Sequence, residues 1–155
     1  CRMRERRRTY KIRYPEKQEI STPVCPYCGR KAVIRPAEYV HGAQTIEPGT
    51  KLYVCSGYPE CDAYVGVHKG SKRPYGTLAN SALRNMRIRT HRELNKLVQA
   101  GVMNKSEVYQ WLAIQLNLPY SETHIGYFTE EMCDQAMERC RRVFRQHRER
   151  NKDAA

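Results

Sequence analysis

Four cysteines in two short turns constrain this chain more than any other feature. Cys25 and Cys28 frame CPYCG, Cys55 and Cys61 frame CSGYPEC, and the pattern reads C-x2-C, a gap of 26 residues, then C-x5-C. Gly or Pro in each turn lets two sulfurs converge on one point while backbone N–H groups face them, and four thiolates satisfy one tetrahedral Zn2+. Two disulfides, four free thiols and a redox dithiol are the competing arrangements. A reducing compartment disfavours the disulfides. The β-prone run after CPYCG disfavours the redox pair, which normally opens a helix, so zinc is the favoured reading. His41 and His68 lie close enough in sequence to compete as ligands, but the four cysteines complete the site without them. A tetrathiolate leaves no water position, so the ion is expected to be structural and not a Lewis acid.

The metal supplies what the composition lacks. Only Trp111, Phe128 and Phe144 join 11 tyrosines as aromatics in 155 residues, too little bulky apolar material for one generous core. One domain or two small ones is the expectation for this length. Zinc binding of the order of 10 kcal/mol becomes folding energy for a β unit too small to stand alone. Cys133 and Cys140 are seven apart on one helical face, about 10.5 Å along the axis. That is too far for a disulfide, and they are expected to be buried core thiols.

The chain divides into three parts. Residues 1 to 20 carry 8 basic and 3 acidic groups with no apolar period, and are expected to form a flexible basic arm. Residues 21 to 76 place short β-prone runs at 32 to 34, 52 to 55 and 64 to 67 between glycines and prolines, the pattern of a zinc ribbon. Residues 77 to 150 read as a helical domain with a basic C-terminal tail. Its first helix starts at Asn80 as N-cap, carries Leu83, Met86, Leu94, Leu97 and Val98 on one stripe, and stops near Gly101. The second opens with Asn104 and Glu107 in capping-box spacing and ends before Pro119; the third follows Thr129 and packs Cys133, Ala136, Met137, Cys140 and Phe144. Leu97, Trp111, Leu112, Met137 and Phe144 are expected to make the main helical core. The fold class is therefore α+β: a small ribbon of short antiparallel strands followed by a three-helix region.

Charge is unevenly distributed within the net +12. Residues 68 to 100 hold 8 basic groups and 1 acidic, residues 138 to 155 hold 7 and 3, and residues 101 to 137 reverse the sign with 1 and 5. Such a field concentrates polyanions, of which nucleic acid is the commonest inside cells. No run approaches the roughly 18 apolar residues of a membrane span, and the basic start lacks the apolar core of a secretory signal. A soluble, cytoplasmic protein in a reducing compartment is expected, with no membrane partner.

CPYCGRKAVIR, YVCSGYPECDAYVGVHKGSKRPYGTLANSALR, EVYQWLA and HIGYFTEEMC, spread over residues 23 to 145, resemble the zinc-finger-containing proteins of bacteriophages and bacteria. The resemblance implies zinc on Cys25, Cys28, Cys55 and Cys61. The ribbon is also similar to the C-terminal zinc ribbons of type IA topoisomerases, whose cysteine pairs flank a like YPEC turn and which bind single-stranded DNA. Two features depart from that pattern: a long insert from residue 36 to 50, and a helical region with no counterpart.

The function expected from these features is nucleic-acid binding, DNA or RNA, with low sequence specificity and a preference for single strands. Tyr27, Tyr53, Tyr58 and Tyr64 lie in or beside the zinc turns and are candidates for stacking unpaired bases. Lys69, Lys72, Arg73, Arg84, Arg87, Arg89 and Arg92 are the candidate phosphate contacts. The competing reading is an adaptor or inhibitor that binds a protein partner through the acidic 101 to 137 segment. An enzyme is not expected: Ser121, Glu122 and His124 are close in sequence but lack an orienting motif, and no Gly-rich phosphate loop or paired-carboxylate site suggests a small-molecule substrate.

Overall fold

The computed structural model describes residues 21–43 and 47–154. The basic arm expected at residues 1 to 20 lies outside the described residues. Three strands, β1 (Ala32–Pro36), β2 (Lys51–Cys55) and β3 (Tyr64–Gly66), form an antiparallel sheet in the order β1-β2-β3. Its register sets Ala32 opposite Cys55 and Tyr53 opposite Val65.

Side chains alternate across a strand, so the central β2 feeds two small cores. Tyr53 and Cys55 join Cys25, Ala32, Ala63, Val65, Val67 and Leu78 on one face. Leu52 and Val54 join Ala37 on the other, with Val40, Tyr58 and Tyr64 packed around them. The second face is covered by the insert, which folds into a short helix α1 (Glu38–His41) that the sequence pattern does not announce. A four-residue helix is below the length at which apolar periodicity can be read.

The helical part follows the expected plan: α2 (Ser81–Gln99), α3 (Lys105–Leu116) and α4 (Glu130–Asp153). The Asn80 side chain accepts from the Leu83 N–H at 3.0 Å, and Thr129 accepts from Met132 at 3.3 Å. Asn104 and Glu107 make the full capping box. Two 3-10 turns, Tyr120–Glu122 and Ile125–Tyr127, connect α3 to α4. Among the described residues no helix is long and apolar enough to cross a membrane.

The helical core differs from expectation in its aromatics. Leu97, Leu112 and Met137 are buried in it together with Cys133 and Cys140. Trp111 and Phe144 are only partly buried and pack at its margin, whereas Phe128 is fully buried. Phe128 sits in the turn before α4, outside every helical stripe, so periodicity could not select it. Phe128→Ala is expected to cost about 3–5 kcal/mol, and Trp111→Ala less, because the cavity term grows with the volume lost from a closed site. Denaturant melts of the two variants check the ranking; equal losses would contradict it.

Ribbon and helices are joined where the chain passes from Leu78, in the ribbon core, to Ala79, in the helical core. Ala79 bridges back to Tyr64, and the Thr77 N–H donates to the Gly126 carbonyl at 2.9 Å. Asp62 Oδ2 accepts from the Ser81 N–H at 3.1 Å, at the first turn of α2. A carboxylate there also meets the positive end of the helix dipole.

Candidate metal centre

The first cysteine turn is closed by backbone hydrogen bonds. Cys25 N–H donates to the Arg30 carbonyl at 2.8 Å and Gly29 N–H to the Cys25 carbonyl at 2.9 Å. Gly29 has φ +74°, a conformation that L side chains rarely adopt. The second turn closes from Tyr58 N–H to the Cys55 carbonyl and from Cys61 N–H to the Gly57 carbonyl, both 3.0 Å. Gly57 permits Arg30 to lie against it, since a Cβ there would stand 2.3 Å from the Arg30 guanidinium. The β1–β2 register then brings the two turns face to face.

All four sulfurs lie within 4.8 Å of one another. Cys25 Sγ is 3.6 Å from Cys61 Sγ, and Cys28 Sγ is 3.3 Å from Cys55 Sγ. Zn–S bonds of about 2.3 Å in a tetrahedron separate sulfurs by about 3.8 Å, so the set fits the ion with little adjustment. The six described cysteines are all free, including Cys133 and Cys140 in the helical core. Gly57 N–H approaches Cys55 Sγ at 3.4 Å, an outer contact of the kind that supports a thiolate.

Electrostatics differ among the four. The backbone N–H of Arg30, helped by the Cys55 thiol, pulls the exposed Cys28 down to about 7. Burial pushes Cys55 up to about 12. One thiol is thus ready to ionise near neutrality while the buried one needs the cation, and zinc entry must expel protons. His41 stands edge-on to Tyr64 at 5.5 Å and His68 stacks on Tyr75 at 4.0 Å, and neither belongs to the four-residue cluster.

The candidate nucleic-acid residues divide sharply. Tyr53 is buried, and its hydroxyl donates to the Lys72 carbonyl at 2.7 Å; it cannot stack on a base because the sheet core already uses its ring. Arg87 is buried as well, giving its guanidinium to the Phe128 carbonyl, the Thr77 carbonyl and the Thr77 hydroxyl. Arg84 binds the carbonyls of Asp62 and Ala79 and the Asp62 carboxylate, and lies 3.9 Å from the Tyr64 ring centroid. These two arginines clasp ribbon to helix and are not free phosphate clamps. Tyr64 is correspondingly covered on one side.

Tyr27 is exposed, its hydroxyl accepting from the Asn80 N–H at 3.1 Å, and Tyr58 is partly buried against Tyr39 at 5.7 Å. Lys69, Lys72, Arg73, Arg89 and Arg92 are exposed. Ser121, Glu122 and His124 share one depression with Arg73 and Tyr127, but among the described residues no hydrogen bond links Ser121 to His124. Tyr75 and Tyr127, which sequence reasoning passed over, are exposed on the surface between ribbon and helices. Their only sequence signal is a glycine beside each, Gly76 and Gly126.

No curated protein and no solved structure matches this chain. A family model described as a zinc-finger-containing domain (DUF3268) matches residues 21–143, which span both the cysteine cluster and the helices packed on it. Four convergent thiols inside that match account for one structural Zn2+ per chain, and the chain belongs to the zinc-finger-containing domain family.

Proposed function

We propose that this zinc-binding protein binds nucleic acid with little sequence specificity and favours single strands. The observation that supports the reading is the exposed basic surface of residues 69 to 92. Lys69, Lys72, Arg73, Arg89 and Arg92 project from the ribbon turn and α2 without an acidic partner among the described residues. Cations in such a row neutralise phosphates and release counterions, whatever the base sequence. The strand preference rests on exposed tyrosines beside these cations and on the likeness to topoisomerase ribbons, since stacking is open only to unpaired bases. Zinc holds the ribbon's shape, and no catalytic step belongs to this reading.

Replacing Arg89 and Arg92 together by Gln is expected to weaken binding to all sequences alike and to reduce the salt slope by about one unit per lost phosphate contact. Titration of a labelled oligonucleotide at several salt concentrations measures both quantities. An unchanged slope would remove α2 from the interface.

A second reading has one observation in its favour. Ile114 is 78% exposed and Tyr120 is 56% exposed beside Leu118 and Pro119, inside the acidic 101 to 137 segment. That patch suits a protein partner. If the protein shows no salt-sensitive affinity for DNA or RNA and holds a protein partner at high salt, the adaptor reading replaces the first.

A further inference from the structure

Two glycines cross where the ribbon meets the helical part. A Cβ on Gly76 would stand 1.7 Å from the Gly126 carbonyl oxygen, and one on Gly126 would stand 2.3 Å from the Tyr75 carbonyl oxygen. Only glycine at both positions lets the two backbones touch, and the Thr77 N–H to Gly126 carbonyl bond locks them together. Each glycine is flanked by an aromatic residue, Tyr75 before Gly76 and Tyr127 after Gly126, and these stay 52% and 48% exposed. The crossing therefore holds two half-exposed rings at the mouth of one cleft, with Tyr75 also lying against His68 and Gly66.

That cleft has a volume of about 470 Å³, within the usual range for ligand sites of about 300–1,000 Å³. His68 stacks on Tyr75 with centroids 4.0 Å apart, and Arg73, His91, Tyr109 and His124 complete the walls. His68 and Tyr75 also border a neighbouring depression lined by Lys51, Lys69 and Lys72. On the other side His91 and Tyr109 border a second depression, lined by Arg92 and Lys105. Among the described residues, the acidic groups lining these depressions are Glu47 at one end and Glu122 beyond Tyr127.

Cations at both ends and aromatic rings in the middle match a strand whose phosphates run along the groove and whose base turns inward. We propose that this cleft seats an unpaired base of a single-stranded nucleic acid against Tyr75, His68 and Tyr127, with the flanking phosphates on Lys69, Lys72 and Arg92. The proposal rests on the nucleic-acid reading above and moves the base contacts away from the zinc turns. A duplex keeps its bases stacked on one another and offers the rings no open face, so the cleft discriminates by pairing state.

The test uses the full zinc-loaded chain and a single strand of about 12 nucleotides carrying 5-iodouracil at several positions, with a duplex of the same sequence as comparison. Adducts after irradiation are mapped by mass spectrometry, and affinities are read by fluorescence anisotropy. Adducts on the peptides bearing Tyr75 or Tyr127 are expected. The double variant Tyr75→Leu with Tyr127→Leu should lose about tenfold or more in single-strand affinity and less than about twofold for duplex, consistent with the loss of one stacked base. Tyr120→Leu, exposed outside the cleft, should bind as the unsubstituted chain does. Adducts confined to Tyr27 or Tyr58, with the double variant binding normally, overturn the cleft while the function stands. Absence of salt-sensitive affinity in the unsubstituted chain overturns both. Mapping on that chain decides the matter even if the double variant fails to fold.

Discussion

Cys55→Ser is expected to abolish stoichiometric zinc binding and to melt the three-stranded sheet while the long helices partly persist. Cys55 is 2% exposed, paired with Ala32 across the sheet, and its sulfur faces Cys28 Sγ at 3.3 Å. Its loss removes a ligand and leaves a buried hydroxyl in the smaller core. Structural zinc sites supply about 10–16 kcal/mol of folding free energy near neutral pH, far more than the few apolar side chains of the ribbon can replace. The helices have their own core of Leu94, Leu97, Leu112, Phe128 and Met137, which the zinc turns do not enter. Chelation of the unsubstituted chain should give the same partial loss of far-UV signal, and metal analysis should give one zinc per chain before it. Because entering zinc displaces thiol protons, including that of a Cys55 held up to about 12 by burial, acid should release the ion and neutralisation should restore it. A sheet that stays folded without metal would defeat the account.

Arg87→Met is expected to cost about 3 kcal/mol or more, while Arg89→Met two residues on changes stability by less than about 0.5 kcal/mol. Arg87 is 8% exposed, and its guanidinium donates to Thr77 from Nη1 at 2.8 Å and Nη2 at 2.7 Å, and to the Phe128 carbonyl from Nε at 3.1 Å and Nη2 at 3.0 Å. Burial lowers its pKa from the ordinary guanidinium value, but an arginine stays charged in a protein and these oxygens replace its water. Removing the fork leaves two carbonyls short of a charged donor at the junction between ribbon and helices. Lysine cannot restore them, because an ammonium has no planar fork to reach both residues at once. At about 2–4 °C per kcal/mol for a chain of this size, the melting temperature should fall by about 6–12 °C. A melt like that of the unsubstituted chain would show that the junction holds without this network.

Local patterns carried most of the fold. The cysteine spacing, Asn80 and Thr129 as N-caps, and the Asn104 to Glu107 capping box all act within a few residues, so their geometry can be read along the chain. Apolar runs likewise announced β1, β2 and β3. Helix α1 escaped because four residues carry no period, and Phe128 escaped because a turn residue has no face to be assigned to.

Solvent exposure was not legible in this way, and the candidate contact residues depend on it. Arg84, Arg87, Arg89 and Arg92 are alike as letters on one basic stretch, yet the first two are bound to ribbon and turn carbonyls and the last two face water. Tyr53 and Tyr75 are both ribbon tyrosines, one closed into the sheet and one open beside Gly76. The sequence by itself determined the metal and its ligands, the order of the three strands and the three long helices, and the sign of the surface charge, because those follow from residue type and short-range spacing. Only the tertiary structure decided which cations and rings remain available, because a guanidinium or phenol is consumed by whichever distant carbonyl or backbone the packing brings within hydrogen-bonding reach.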